Sequence, residues 1–378
     1  MKIVHVTETL VAGVLAAVAA LAARQSALGH DVTVVYTRKP NVPPPHELDR
    51  RLPPAVRRLE TRYRGRPASV LDLGRAVNQL TEDGIDVLHL HSTFAGIAGR
   101  VAPRLRRRVP VIAYSPHGWA FLRGKSSAFS NRAALALERV LARRCNGLIL
   151  VSYSEAQISR RRLGSTTSHV LTNGIPVDGL PVGKGSGRTR PVIVTTGRIM
   201  EQKGPDRFAD VARAFNDRAD FVWIGDGTQE ERELWLGDAP VQVTGWLPHD
   251  EVIARLVAAD VFLFPTRWEG MPIALMEAQA IGLPAVATDI VGNRDVIVDG
   301  ETGTLCDPAE LIAALSELVD DAEVRRRMRE NAVRIQRERL SDTSLGERSL
   351  AIYTELGGSR RGASARQPGR RRATTRAS

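Results

Sequence analysis

At 378 residues the chain exceeds what one hydrophobic core ordinarily serves, and two domains of roughly 150 to 200 residues are expected. Hydrophobic residues at 43% and charged residues at 25% give a globular balance, which excludes a disordered or fibrous chain. The net charge of +11 points toward nucleic acid or an anionic surface, but the last 21 residues, GSRRGASARQPGRRRATTRAS, hold seven arginines and no acid, leaving only +4 on the rest.

The chain opens as strand, helix, strand: KIVHVTET, an Ala-rich helix to about Leu28 stopped by Gly29, then DVTVVYT. Residues 11 to 23, VAGVLAAVAALAA, have the composition of a secretory leader's apolar core. They follow a strand-like segment carrying Glu8, however, and are shorter than the ~20 residues a membrane span needs. The chain therefore reads as cytoplasmic, with any membrane contact peripheral, at the inner face of the plasma membrane. Cys145 and Cys306 fit no metal or redox spacing and read as reduced packing residues.

The strand rhythm continues with DVLHLHS, VPVIAYSPH, GLILVS and HVLTNG. Short β-branched runs alternating with helical stretches predict parallel strands covered on both faces, a first doubly wound domain over residues 1–180. Within it, Arg100, Arg104, Arg106, Arg107 and Arg108 form a basic cluster that fits an anionic lipid surface or a solvated helix end equally well. A Gly- and Pro-rich stretch, VDGLPVGKGSGRTR, marks a hinge.

The rhythm restarts with PVIVTTGR, ADFVWIG, VQVTG, DVFLFPT and PAVATDI, a second doubly wound domain over residues 190–345. A terminal helix is expected over 346–357 and a disordered basic tail over 358–378. The predicted fold class is thus α/β, two Rossmann-like domains facing each other across a cleft at the carboxyl ends of their strands.

Four stretches carry candidate chemistry. RWEGMPIALMEAQAIGLP sets Glu269 and Glu277 eight positions apart, with Gly270, Met271 and Pro272 between a strand end and a helix. Pro272 suits the first helical position, and free N–H groups there favour a phosphate. A carboxylate can accept two hydroxyl hydrogen bonds, so one acid can grip a ribose and the other a sugar. Each glutamate read alone fits a capping or surface role as well.

TTGRIMEQKGPDRF places Gly197 and Arg198 after a strand and Lys203 at a helix start, a pair suited to neutralising a diphosphate; a solvated loop is the alternative. In SPHGWAF, His117 ends a strand and faces the cleft or caps the strand. Gly13 after the first strand, Asn173 before the hinge and the turn GDG at 225 to 227 also sit where they can line the cleft.

Taken together, these residues resemble the family 4 retaining glycosyltransferases of GT-B fold, over nearly the whole chain to about Leu356. EGMPIALMEAQAIGLP is similar to that family's E-x7-E motif. The resemblance implies a hexosyltransferase that uses a nucleotide-diphosphate sugar, UDP-linked first and GDP-linked next. It implies no bound metal and no cofactor, since Arg, Lys and the helix end take the place of a cation.

Carried over residue by residue, Arg198 and Lys203 would bind the diphosphate, Glu277 the ribose and Glu269 the donor sugar. His117 would contact sugar and assist transfer, and the backbone at Gly13 would approach the diphosphate or acceptor. Gly245 to Leu247 would lie near the base. Two departures stand out: Ala12 precedes Gly13 where the family often has paired glycines, and Asp295 stands where glutamate is common.

The expected acceptor is a sugar or lipid-linked glycan of a cell-surface polymer or glycolipid. The alternatives are a small secondary metabolite as acceptor, a nucleotide-sugar epimerase, and a non-catalytic nucleotide-sugar binding protein. Nucleic acid is argued against, because the charge sits in the tail and lacks interleaved aromatics.

Overall fold

A computed structural model describes residues 1–40, 42–102, 110–122, 128–164 and 166–364. Its two parallel sheets are the two expected doubly wound units. The first runs β3-β2-β1-β4-β5-β6-β7 and the second β10-β9-β8-β11-β12-β13.

The strands of the first sheet are β1 (Lys2–Thr7), β2 (Asp31–Arg38), β3 (Arg57–Arg62), β4 (Val87–His91), β5 (Val111–Ser115), β6 (Gly147–Leu150) and β7 (Ser168–Val170). Those of the second are β8 (Val192–Thr196), β9 (Asp220–Ile224), β10 (Val241–Val243), β11 (Val261–Phe264), β12 (Ala285–Thr288) and β13 (Gly303–Cys306). The strand order reverses at β1/β4 and at β8/β11, and a crevice opens at the carboxyl ends beside such points.

Period-two alternation feeds a core on each face. Val4, Val6, Leu88 and Leu90 enter one cluster, while Ile3 and Val87 enter another beneath the helix Ala12–Ala27 and the last helix. That alternation also carries His5, His89 and His91 to the Ile3 side, and β1 pairs β4 with His5 opposite His89. In the second sheet Phe262 and Phe264 pack into one core, and Val261 and Leu263 into the other.

Two strands, β3 and β13, escape the hydrophobic pattern. β3, RRLETR, lies mostly exposed at the edge of its sheet, where charge replaces apolar alternation and discourages edge pairing.

The apolar run at 11 to 23 is buried as the helix Ala12–Ala27. Among the described residues, no helix is long and apolar enough to cross a membrane. Arg100 does not face lipid: its buried guanidinium is held by Glu138 at 2.9 Å and 3.2 Å and stacks 3.8 Å from the Tyr114 ring centre. Arg104, Arg106, Arg107 and Arg108 lie outside the described residues.

The hinge is anchored on the second domain, since the N–H groups of Gly183 and Lys184 donate to Ile281 and Val257. The last helix, Leu345–Ser364, runs past the expected end at 357, and residues 365 to 378 lie outside the described part. It leaves the second domain and packs on the first, burying Leu345, Tyr353 and Leu356 against Ile3, Leu21 and Val87. An Arg24–Asp342 ion pair at 2.6 Å fastens the crossing.

Candidate functional site

The loop after β11 is built by its charged residues. Arg267 donates to the Asp206 carboxylate and to the Glu201 carbonyl, tying the loop to the helix Pro205–Ala214 and to the 3-10 turn Glu201–Lys203 before it. Gly204 joins that turn to the helix with φ +65, and a Cβ there would lie 2.1 Å from the Pro265 carbonyl oxygen. Only glycine permits that approach.

The consequence is a part-buried ion pair whose carboxylate end is covered. Lys203 Nζ lies 2.7 Å from Glu269 Oε1, with Glu269 9% exposed, and Gln202 Nε2 donates to the other carboxylate oxygen at 3.4 Å. Lys203 also sits 5.0 Å from the Phe264 ring centre, and the backbone of Gly197 runs alongside its aliphatic stem.

This pair abuts the first domain. A Cβ on Gly270 would lie 2.9 Å from both Gly118 N and His117 C, so the loops after β5 and β11 touch backbone to backbone. His117 itself has φ +52, in the left-handed region that a side chain rarely occupies. What holds it there is Glu155, fully buried, whose carboxylate accepts the N–H of Gly118 at 2.8 Å and of Val151 at 3.1 Å. Burial raises the Glu155 carboxyl to about 7, and burial lowers His117 to about 4, so that imidazole is neutral near pH 7.

Further bonds cross the domain boundary. Asn173 Nδ2 donates to the Met271 carbonyl at 3.0 Å, fixing the backbone just before the helix Ile273–Ile281. Asp295 accepts the N–H of Tyr153 at 2.6 Å and of Ser154 at 3.2 Å, capping a first-domain helix from the second domain. Here the departure Asp295 has a visible purpose.

Pro272 precedes the helix as its N-cap instead of opening it, and no side chain caps the end. The first N–H groups of that helix therefore remain available to an anion. Gly13 faces the same end, with a Cβ there 3.9 Å from Ile273 Cγ1. Ala12 before it takes φ +45, so alanine reproduces a backbone shape natural to glycine.

The second glutamate sits elsewhere. Glu277 Oε1 lies 2.8 Å from His249 Nε2, in a cleft of about 990 Å3 between the helix Ala12–Ala27 and the segment Trp246 to Asp250. Its hydrogen bond to Glu277 raises the His249 imidazole above its ordinary value. Gly245, with φ +76, precedes that segment and is bridged to Gly225. Arg198 is turned outward, donating to Glu231 at 2.8 Å, and Glu231 also accepts the Thr228 N–H as half of a capping box.

The structure thus gathers His117, Asn173, Lys203, Glu269, Gly270 and Met271 at one place and sets Glu277 apart beside His249. Arg198 points to neither acid. Sequence reasoning missed Glu155, Arg267 and His249. Glu155 acts through backbone N–H groups and Arg267 through the Asp206 carboxylate and a carbonyl distant in sequence, which leave no motif, whereas PHDEV did put His249 at a helix start following the Gly245 turn.

Two doubly wound parallel domains that meet at the carboxyl ends of their strands define the GT-B class. Residues 190–321 match the model of the group 1 glycosyl transferases, and residues 11–178 match that of glycosyltransferase family 4. The chain belongs to the group 1 glycosyltransferases of family 4.

Among curated relatives it is 28% identical to an Escherichia coli UDP-Gal:alpha-D-GlcNAc-diphosphoundecaprenol alpha-1,3-galactosyltransferase, over 64% of this chain and 68% of that protein. Sucrose-phosphate synthase from Thermosynechococcus elongatus superposes with a TM-score of 0.81 at 17% identity, over 95% of this chain and all of that one. Anabaena HepE in complex with UDP and glucose gives 0.74 at 15%, over 94% and 99%. At these identities the two structures establish the shared fold alone.

Proposed function

We propose that the chain is a retaining glycosyltransferase that moves a sugar from a nucleotide-diphosphate donor, UDP-linked first, to a hydroxyl of a lipid-linked glycan. The observation that carries this reading is the part-buried Lys203–Glu269 pair, set against the first domain's His117–Gly118 backbone and beside an uncapped helix end. Such a place holds a diphosphate by Lys203 and the first amides of Ile273–Ile281, with the sugar between Glu269 and His117.

As the bond from the anomeric carbon to the diphosphate oxygen breaks, that oxygen gains negative charge. Lys203 faces it from a part-buried position fixed by Glu269 and the Phe264 ring, so little reorganisation is needed. Arg198 joins when diphosphate displaces Glu231 as its partner. Glu277 takes the ribose hydroxyls in the adjoining cleft. Since cationic side chains and amides supply the positive charge, turnover is expected to survive EDTA, and a full loss restored by magnesium would refute a metal-independent mechanism.

The lipid-linked acceptor rests on the printed activity of the Escherichia coli relative, with a peripheral membrane encounter as its consequence. The test is a panel of UDP, GDP, ADP and dTDP sugars with and without an undecaprenyl-diphosphate glycan, following nucleotide release and the anomeric configuration of the product. Transfer with retained configuration is expected. Release with none of the donors, or interconversion of the sugar itself, removes the proposal.

A further inference from the structure

His117 is the end of a buried hydrogen-bonded chain. Its Nε2 lies 2.8 Å from His91 Nδ1, His91 Nε2 lies 2.9 Å from His5 Nδ1, and His5 Nε2 lies 2.8 Å from Gln25 Oε1. Gln25 then donates from Nε2 to Ser349 Oγ at 2.9 Å and to Tyr353 Oη at 3.2 Å, both on the crossing helix Leu345–Ser364. His5, His91, Gln25, Ser349 and Tyr353 are all buried.

The direction of every proton in this chain follows from two serines. Ser349 donates its hydroxyl to the Gly346 carbonyl at 2.6 Å, so it can only accept from Gln25. Ser115 likewise spends its proton on the Ile149 carbonyl at 2.6 Å and accepts from His89 Nε2 at 2.8 Å. His89 Nδ1 is then an acceptor, filled by the Tyr353 hydroxyl at 2.8 Å, and Tyr353 in turn accepts from Gln25. Both Gln25 N–H groups are committed to the crossing helix, which leaves its carbonyl oxygen facing His5. A flipped amide would point that oxygen at two hydroxyls with no proton to give.

From that fixed carbonyl the order runs outward. His5 donates from Nε2 and accepts at Nδ1; His91 does the same; His117 must donate from Nε2 to His91. Burial keeps His5, His89 and His91 neutral, as the scheme needs. The ring nitrogens of His5, His89 and His91 come within 4.8 Å of one another, a spacing a metal ion could use, but each is already matched to a hydrogen-bond partner. His117 Nδ1 has no hydrogen bond among the described residues.

We propose that Gln25, held by Ser349 and Tyr353, is a positioning residue: through His5 and His91 it fixes His117 as the Nε2–H tautomer, whose bare Nδ1 accepts a hydrogen bond from a hydroxyl of the bound sugar. The inference rests on the transferase reading only in its last clause. It assigns the crossing helix a task beyond packing, since that helix sets the proton order of a first-domain residue at the domain contact.

The test uses full-length protein labelled with 15N-histidine and a long-range 1H–15N correlation spectrum, with His117 assigned by its disappearance in His117→Asn. Wild type is expected to show His117 protonated at Nε2 and bare at Nδ1. Gln25→Leu is expected to mix the tautomers and to lower kcat about tenfold, the worth of one well-placed hydrogen bond, with donor KM within about twofold. Gln25→Glu, held as the neutral acid at this fully buried position, keeps a carbonyl toward His5 and an O–H toward Ser349 or Tyr353, and is expected to restore the tautomer and bring kcat within about threefold of wild type.

A wild-type His117 protonated at Nδ1 overturns the proposal, and so does Gln25→Leu with unchanged tautomer and kcat. The spectrum requires no turnover, so a protein that transfers nothing from the donor panel would count against the transferase reading and leave the tautomer to be judged by resonance alone.

Discussion

The two glutamates of one motif live in different physical worlds. Glu269 is buried at a backbone contact between domains with Lys203 as partner, whereas Glu277, four residues into its helix, borders an open cleft with His249 as partner. A lysine cation persists across the physiological range, but an imidazolium does not. The second pair therefore carries the imidazole, whose value the bond to Glu277 raises.

That contrast is broken most severely at the first pair. Lys203→Ala removes the cation aimed at the departing diphosphate and strands the Glu269 carboxylate in its buried position. We expect kcat to fall by about 10^2 to 10^3, the range for losing one preorganised donor, with donor KM changed far less. Steady-state kinetics on the preferred donor checks this, and equal losses in kcat for Lys203→Ala and Glu277→Gln would erase the distinction between the two sites.

Asp295 comes next. It caps the helix Tyr153–Leu163 across the domain boundary, close to Glu155, which holds the His117 loop. Asp295→Ala frees two N–H groups and loosens the contact that brings Gly118 to Gly270. We expect kcat to drop about tenfold, with first-domain amides near Ser154 exchanging faster with solvent. Unchanged exchange there would show that the domains are held together by other contacts.

Much of this arrangement was legible in the sequence, and the rest hid for identifiable reasons. Buried parallel strands announce themselves through β-branched runs, so β1, β2 and β4 to β12 could be read. β3 could not, because an exposed edge strand of arginines carries no apolar period. Lys203 and Glu269 were candidates from their motifs, yet their mutual pairing is a property of the loop fold that Arg267 and Gly204 impose. Ala12 stood as a departure by residue type; its φ of +45 shows that the backbone shape is kept at some steric cost. The terminal helix was foreseen, but its docking against His89 and Gln25 depends on polar residues scattered from 25 to 353.

At the second pair, Glu277→Gln tests the ribose role. A neutral amide keeps one acceptor oxygen and loses the charged hydrogen bonds, so donor KM is expected to rise about tenfold while kcat stays within about threefold. A KM unchanged by this substitution would detach Glu277 from the donor altogether.

The finest test exploits His249. Its imidazole is raised by the hydrogen bond to Glu277, so the charged pairing is fully formed below about 6.5, the ordinary histidine value, and is lost as pH climbs through the raised one. Stability from this pair follows the same sign, present at low pH and lost at high pH, and solvent screening keeps it small because His249 is 46% exposed. For binding the sign reverses: deprotonating His249 releases Glu277 to the ribose. Donor KM should fall about threefold between roughly pH 6 and pH 8.5 in the wild type and stay level in His249→Gln. A KM that falls equally in both proteins would assign the titration to another group and detach His249 from any control of Glu277.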